Sequence, residues 1–492
     1  MKKPLKMLAY DFGASSGRAV VGSFDGKTLS TEEIHRFSND PVNVRGHLHW
    51  DVLRLFYEIK QGLLKCANSN NKDICSMAID TWGVDFSLLD ENGALLSNPF
   101  HYRDILTDNI MQEVFRILPE NELYRLTGQQ FMKFNTIFQL YAMKCQNISA
   151  FKQTKTLLMI SDTFNYFLTG VMATEYSIAS TTQLLDSVKK EWSEEIISKL
   201  ELPRYIFPRI VRPGTILGSL SSEISDECCI GKIPVISTAS HDTASAVASV
   251  PAMSEQFAYI SCGTWSLMGI EVDHPIINEE SFALSYANEG GVGNKIRLLK
   301  MIMGLWLVQE CKRQWDREGK HFNFSELEAM ALASAPYKSF INPDDVQFMP
   351  TGDMPRRIAS YCNDSGQSVP GNIGETVRCI AQSLALKYRL TVENLEEISD
   401  KKLPVIHMVG GGIKDRMLCQ FTANATGRVV FAGPVEATSV GNLMIQAMAL
   451  GEVKNLHEIR QVVKESFPIE TYMPQDAEQW NEAYIRFKNI IK

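Results

Sequence analysis

Hydrophobic and polar positions change period several times along this chain, and each change predicts an element. Leu8-Ala9-Tyr10-Asp11-Phe12 reads as an apolar strand. It enters the small-residue turn Gly13-Ala14-Ser15-Ser16-Gly17 and returns through Arg18-Ala19-Val20-Val21. Residues 20–24 and 28–32 flank Asp25-Gly26, a hairpin signal. Residues 52–59 carry helical spacing behind Asp51, a residue type that suits an N-cap. Residues 76–90 read as strand, polar loop and strand, closed by the turn Glu91-Asn92-Gly93. Residues 234–237 and 404–409 are apolar strands that run into polar loops with helical patterns beyond. Tyr259 to Ile270 repeats the opening theme, a strand, a Gly263-Thr264 turn and a second strand. Met301, Leu305, Trp306 and Val308 form an apolar stripe read as core. Strands alternate with helices in both halves, which predicts an α/β protein.

A length of 492 residues favours two domains. The break is expected near Ser249 to Glu255, where Pro251 follows a small-residue helix and the hairpin theme restarts. This reads as a weak internal duplication, with a ligand cleft between two lobes. Hydrophobic residues at 45% and charged residues at 22% are ordinary for a soluble globular protein. A net charge of −8 argues against nucleic acid or an anionic membrane as partner, and leaves room for a local phosphate pocket. The opening Met1-Lys2-Lys3-Pro4-Leu5-Lys6 mimics a signal-peptide start, but Asp11 interrupts the short apolar run after it. No stretch approaches the roughly 20 apolar residues of a membrane span. The ten cysteines include no C-x-x-C pair, so reduced thiols and a cytoplasmic location are expected.

Two turns crowded with glycine and small hydroxyl residues suggest two backbone cradles for one polyphosphate. Gly22 followed by Gly26-Lys27-Thr28 imitates a P-loop, but the spacing is one residue short and a strand follows. Asp11, at the end of its strand, can hold a hard cation through water or simply bond turn amides. Arg18 can meet phosphate or pair on a surface. Asp242 and Thr243 suit a helix cap; Asp242 can equally accept a hydroxyl proton. Gly410-Gly411-Gly412 ends a strand and opens a helix, which suits either a nucleotide or close packing. His47 and His49 share a strand face and lack a third ligand, so packing is favoured over metal. Gln309 fits a pocket or a surface.

Taken in order, these segments resemble the FGGY carbohydrate kinases, and within them the rhamnulokinases. The resemblance is carried by residues 11–18, 80–86, 241–246, 261–266, 304–307, 409–412 and 436–438. It implies two ribonuclease-H-like lobes of the actin and hexokinase superfamily with a central ATP and sugar cleft. The lobes would span 1–248 and 249–470, followed by a helical tail over 471–492. Carried over, Ala14, Ser15, Ser16, Gly17 and Arg18 would face the ATP phosphates. Thr264 would join them, with Gln309 and Gly411 at the nucleotide. Gly83, His241, Asp242 and Thr243 would bind the sugar. Asp242 would be the general base, and Asp11 and Asp242 would hold Mg²⁺. The implied reaction phosphorylates carbon 1 of a 6-deoxy-ketohexose, L-rhamnulose first, in a monomer or homodimer. One position departs. Where the rhamnulokinases carry asparagine, this chain has Met301 in Leu298-Leu299-Lys300-Met301-Ile302-Met303, and methionine cannot replace an amide's hydrogen bonds. That makes L-fuculose, or dual specificity, the alternative. A non-catalytic sugar or nucleotide binder and an assembly ATPase are the rivals from other classes; Asp242 and the Thr81-Trp82-Gly83 loop speak against them.

Overall fold

The computed structural model describes residues 3–491. It divides into two compact units, neither continuous in the chain. One contains the chain through Ser249, Glu271–Leu298 and Ala437–Ser466; the other contains Val250–Ile270, Leu299–Glu436 and the segment from Phe467.

In the first unit the strands are Leu5–Phe12 (β1), Ser16–Phe24 (β2), Leu29–Ser38 (β3), Met77–Thr81 (β4), Thr215–Ser219 (β5) and Pro234–Ser237 (β6). Among the described residues they form a six-stranded sheet in the order β5-β6-β4-β1-β2-β3. The central strand β1 is buried along its apolar run, as expected for a strand covered on both faces. The edge strand β3 carries Thr31, Glu32 and Glu33 outward, which discourages further pairing. The hairpin expected at Asp25-Gly26 forms, and the P-loop imitation is its turn: Asp25 Oδ1 accepts the N–H groups of Lys27 and Thr28 at 2.8 and 2.7 Å. Helix α1 (Val52–Ala67) starts at Asp51, whose carboxylate accepts the Arg54 N–H at 3.1 Å.

The second sheet contains Phe257–Cys262 (β7), Trp265–Val272 (β8), Ala287–Gly290 (β9), Ile296–Met303 (β10), Val405–Val409 (β11), Val429–Ala432 (β12) and Glu470–Tyr472 (β13). Its order is β9-β10-β8-β7-β11-β12-β13. The two sheets share one plan. β1 pairs antiparallel with β2 and parallel with β4, as β7 pairs antiparallel with β8 and parallel with β11. β4 then pairs parallel with β6, and β6 antiparallel with β5; β11 and β12 likewise pair parallel, and β12 and β13 antiparallel. This is the duplicated ribonuclease-H-like α/β arrangement.

Helix α2 (Asp242–Ala248) follows β6. Helix α3 (Trp306–Arg317) follows β10, and α4 (Ile373–Ser399) is the longest helix among the described residues. α5 (Arg416–Thr426) and α6 (Ala437–Ala449) come later in the chain. α6 packs on β1, β4 and α2. Two local expectations are corrected, and one stripe is divided. Of the Met301 to Val308 stripe, Trp306 and Val308 are buried on α3, while Met301 is half-buried on β10. Gly411 opens a short 3-10 turn, and α5 begins only at Arg416, capped by Asp415. His241 occupies the cap position of α2, and Asp242 is the first helical residue. His47 and His49 pack against Phe100, with ring centroids at 5.7 and 4.7 Å.

Candidate active site

The first turn is closed by Gly13 N–H donating to Ser16 O at 3.0 Å. Asn39 pins it, donating its side-chain N–H to Gly13 O at 2.9 Å and its backbone N–H to Ser15 O at 3.1 Å. Ser15 and Ser16 are exposed and Ala14 is half-buried. Gly17 admits no side chain: a Cβ would lie 2.2 Å from the Phe37 ring. Asp11 sits beside Arg18 across the hairpin and beside Asp80 across β4. Its Oδ2 is 3.1 Å from Arg18 Nε and accepts from Ser439 Oγ at 3.3 Å. Asp80 is buried; Asn442 Nδ2 donates to its Oδ2 at 2.6 Å, while Oδ1 has no partner. Burial, with the charges of Asp11 and Asp242, holds the Asp80 carboxyl well above the usual range.

The strand ends bring the sugar-pocket candidates of this unit together. Thr81 N–H donates to Ser240 O at 2.9 Å and Trp82 N–H to Phe12 O at 3.1 Å. Gly83 packs on Thr181, where a Cβ would meet the threonine side chain at 3.0 Å. The next residue, Val84, has φ 66°, a costly conformation for a β-branched side chain. It is held by Thr181 Oγ1, which accepts its N–H at 3.1 Å, and by Thr136 Oγ1, which donates to its carbonyl at 2.6 Å. Buried Glu175 fixes the other loop. It accepts from the backbone N–H groups of Ser177, Ile178 and Ser240 and from Ser177 Oγ. Ser177 Oγ in turn accepts the His241 N–H at 3.2 Å.

Asp242 therefore projects from a rigid loop. Its Oδ1 accepts from Thr243 N–H at 2.6 Å and Thr243 Oγ1 at 3.2 Å, and lies 3.4 Å from His241 Nε2. The side chain keeps 30% of its exposure. Burial raises its pKa, nearby His241 lowers it, and Asp11 raises it; the net direction is upward from 3.8. That direction suits a carboxylate meant to take a proton.

Behind Trp82, Asp85 Oδ2 accepts the indole N–H groups of Trp50 and Trp82 at 2.6 and 3.0 Å and the Tyr102 N–H at 3.2 Å. Gln139 Nε2 donates to Oδ1 at 2.9 Å. Burial outweighs these donors and pushes the Asp85 carboxyl up to about 7. A carboxyl raised from 3.8 binds its proton more tightly in the folded chain, so its contribution to stability is full below pH 3.8 and is lost as pH rises through about 7. Because two indoles share this carboxylate, tryptophan emission should titrate with a midpoint near 7. A fluorescence titration of Asp85→Asn should lack that transition.

In the second unit the turn is closed by Gly263 N–H to Trp265 O at 3.0 Å. Gly263 O accepts the Leu305 N–H, and Thr264 O accepts the N–H groups of Gly304 and Trp306. The turn is thus stitched to the start of α3, which brings Gln309 to Thr264: Thr264 Oγ1 donates to Gln309 Oε1 at 3.3 Å. The three glycines divide their roles. A Cβ on Gly412 would lie 2.4 Å from Cys262 Sγ, and one on Gly410 would lie 3.1 Å from Cys262 O, so both are packing glycines. Gly411 is exposed and a Cβ there meets nothing. Met301 is half-buried on β10.

Glu175, Ser177, Thr181, Asn39 and the α6 residues Ser439 and Asn442 are site-building residues that sequence reasoning missed. Only α6 left a signal, since Ser439, Asn442 and Gln446 recur at helical spacing in an apolar run. Gln446 continues the row, donating to Leu8 O at 3.0 Å and Asn442 Oδ1 at 2.8 Å.

Comparison with known proteins gives this arrangement its class. The N-terminal domain of the FGGY family of carbohydrate kinases matches residues 6–248, and the C-terminal domain of that family matches 258–450. The chain belongs to this family: it is a kinase that transfers phosphate from ATP to a sugar. It is 45% identical to a rhamnulokinase of Bacteroides thetaiotaomicron over 484 residues, 98% of this chain and 99% of that one. It is 39% identical to a rhamnulokinase of Bacillus subtilis over 471 residues, 96% of each. A ligand-bound xylulose kinase from Lactobacillus acidophilus superposes with a TM-score of 0.83 at 17% identity, covering 99% of this chain and 97% of that one. A Plasmodium falciparum glycerol kinase with ADP gives 0.78 at 15%, covering 99% and 98%. These two likenesses concern the fold. Among the described residues no helix is long and apolar enough to cross a membrane.

Proposed function

We propose that this chain phosphorylates the carbon-1 hydroxyl of L-rhamnulose with ATP. The observation that carries the chemistry is Asp242, an accessible carboxylate with a raised pKa on a loop held by Glu175 and Ser177. The rhamnulokinase relatives support the choice of sugar. Gly83, His241, Asp242 and Thr243 hold the ketose. Asp242 accepts the hydroxyl proton as the sugar oxygen bonds to the γ-phosphorus. The bond from that phosphorus to the β–γ bridging oxygen breaks, and ADP leaves with the electron pair. Ala14, Ser15, Ser16, Gly17 and Arg18 hold ATP phosphates, as does Thr264; Gln309 and Gly411 hold the nucleoside.

The metal is Mg²⁺. Asp80 feels the charges of both Asp11 and Asp242, and the donor set is hard oxygen, which fits this ion. No group of three candidate ligands converges among the described residues. Asp11 and Asp242 would therefore hold it together with water and phosphate oxygens. When bound, it neutralises charge on the phosphates. The same reading makes the protein a cytoplasmic monomer or homodimer without nucleic-acid or membrane partners.

A coupled ADP-release assay with L-rhamnulose, L-fuculose and L-xylulose tests the proposal. The expected ranking by kcat/KM places L-rhamnulose first. ATP hydrolysis independent of all three sugars would defeat the kinase reading. L-fuculose first would favour the second reading, which Met301 motivates, and Met301→Asn should then move preference toward L-rhamnulose. For the nucleotide, Gly411→Ala should leave the melting temperature unchanged, because the added Cβ meets nothing in the fold. It should raise the KM for ATP while leaving that for sugar unchanged, read by steady-state kinetics in each substrate.

A further inference from the structure

Asn39 takes up two carbonyl oxygens of the first turn. Gly13 O accepts from Asn39 Nδ2 at 2.9 Å, and Ser15 O accepts from the Asn39 N–H at 3.1 Å. A third, Ser16 O, accepts from the Gly13 N–H at 3.0 Å. The N–H groups of Ala14 and Ser15 lie outside the strands and find no acceptor in the chain among the described residues. The Asn39 amide has one orientation here, because Oδ1 in place of Nδ2 would set two acceptors against each other. Asn39 is itself held in place. It is buried directly after β3, where Phe37 packs under Gly17 and Ser38 O accepts from Arg54 Nη1 at 2.9 Å.

The second turn reaches the same end by other means. Gly263 O accepts from the Leu305 N–H at 3.0 Å, and Thr264 O accepts from those of Gly304 and Trp306 at 3.2 and 3.1 Å. In both turns, donors from outside hold the carbonyls. Residues 304–306 do this with three backbone N–H groups; Asn39 does it with one backbone and one side-chain donor. The consequence is electrostatic. A free carbonyl oxygen repels a phosphate oxygen, whereas successive unpaired N–H groups form a concavity that suits an anion. We propose that Asn39 is a positioning residue that makes the first turn an anion cradle, holding the Gly13 and Ser15 carbonyls so that ATP phosphate meets N–H groups and not lone pairs. Asn39 acts through the turn rather than on the nucleotide. Its role rests on the reading that residues 14–18 hold the ATP phosphates.

The test uses the full-length enzyme and compares equilibrium binding of ADP with that of adenosine, which carries no phosphate. Asn39→Asp keeps the side-chain shape and the backbone N–H but sets an acceptor against Gly13 O. Its affinity for ADP should fall about tenfold, the scale of one lost hydrogen bond, while that for adenosine stays within about twofold. KM for ATP should rise in step, with KM for the sugar unchanged. Asn39→Ala removes the donor without adding a charge, so it carries the test should the aspartate variant fail to fold; it should show the same loss confined to ADP. Equal losses of ADP and adenosine, or no loss of either in a folded variant, would overturn the role of Asn39. Ser15→Asp separates the two readings. It adds a charge at the exposed tip and leaves both Asn39 bonds in place, so ADP should again weaken about tenfold or more. Parent-like ADP binding by Ser15→Asp would overturn both the phosphate reading of the turn and the role of Asn39. Weakened binding there, with parent-like binding in both Asn39 variants, would overturn the role of Asn39 alone.

Discussion

Asp242→Asn is expected to lower kcat by about 10²- to 10⁴-fold, the range spanned by a positioned general base. Asparagine keeps the volume and can still accept the Thr243 N–H, so folding and sugar binding should persist. What is lost is the capacity to take the hydroxyl proton. The measurement is single-turnover phosphoryl transfer beside sugar binding by calorimetry. Near-normal turnover in a folded, sugar-binding variant would remove Asp242 from the chemistry. On the proposed reading, the same carboxylate is expected to set a pH limb in the parent. Its pKa is raised from 3.8, so as pH falls the group is protonated earlier than an ordinary aspartate would be. kcat/KM should therefore decline on the acid side, from a point displaced toward neutrality.

Gly441→Ala is expected to cost more stability than any surface change in the chain. An added Cβ would lie 1.8 Å from Ser245 O and 2.6 Å from its carbonyl carbon. Both are backbone atoms of α2, which cannot swing away as a side-chain tip can. Overpacking of this kind costs about 1–3 kcal/mol, occasionally more. The contact also bears on function, because α2 carries Asp242 and α6 carries Ser439 and Asn442 against Asp11 and Asp80. Thermal unfolding should move to lower temperature and kcat should fall with it. Gly231→Ala, where the new Cβ meets nothing, is the neutral control. Equal melting temperatures for the two variants would show that α6 does not press on α2 in solution.

Much of the fold was legible because its signals are local. β1 and β2 announce themselves by an apolar run, a glycine turn and a returning run, and β7 and β8 do the same. Asp51 caps α1 from its own sequence position. Where local signals conflicted, tertiary context decided. Met301 and Trp306 share an apolar stripe on paper, yet Gly304 and Leu305 bond back to the Gly263-Thr264 turn and part strand from helix. The triple glycine could not be resolved from composition, since the reason for Gly410 and Gly412 is Cys262, some 150 residues earlier in the chain, a neighbour no local pattern names. Val84 gave no sign of its left-handed backbone, which Thr181 and Thr136 impose from outside.

By itself the sequence determined the α/β class, the two hairpins, and the places of Asp11 at the end of a strand and of Asp242 at the start of a helix, because period, turn chemistry and residue type act over a few positions. Tertiary structure alone decided that α6 joins the first unit, that Glu175 and Ser177 hold the Ser240-His241 loop, and that Asn39 holds the carbonyls of the first turn. Those relations are distances between residues remote in the chain. They depend on burial, where an unpaired charge or carbonyl is too costly to leave without a partner.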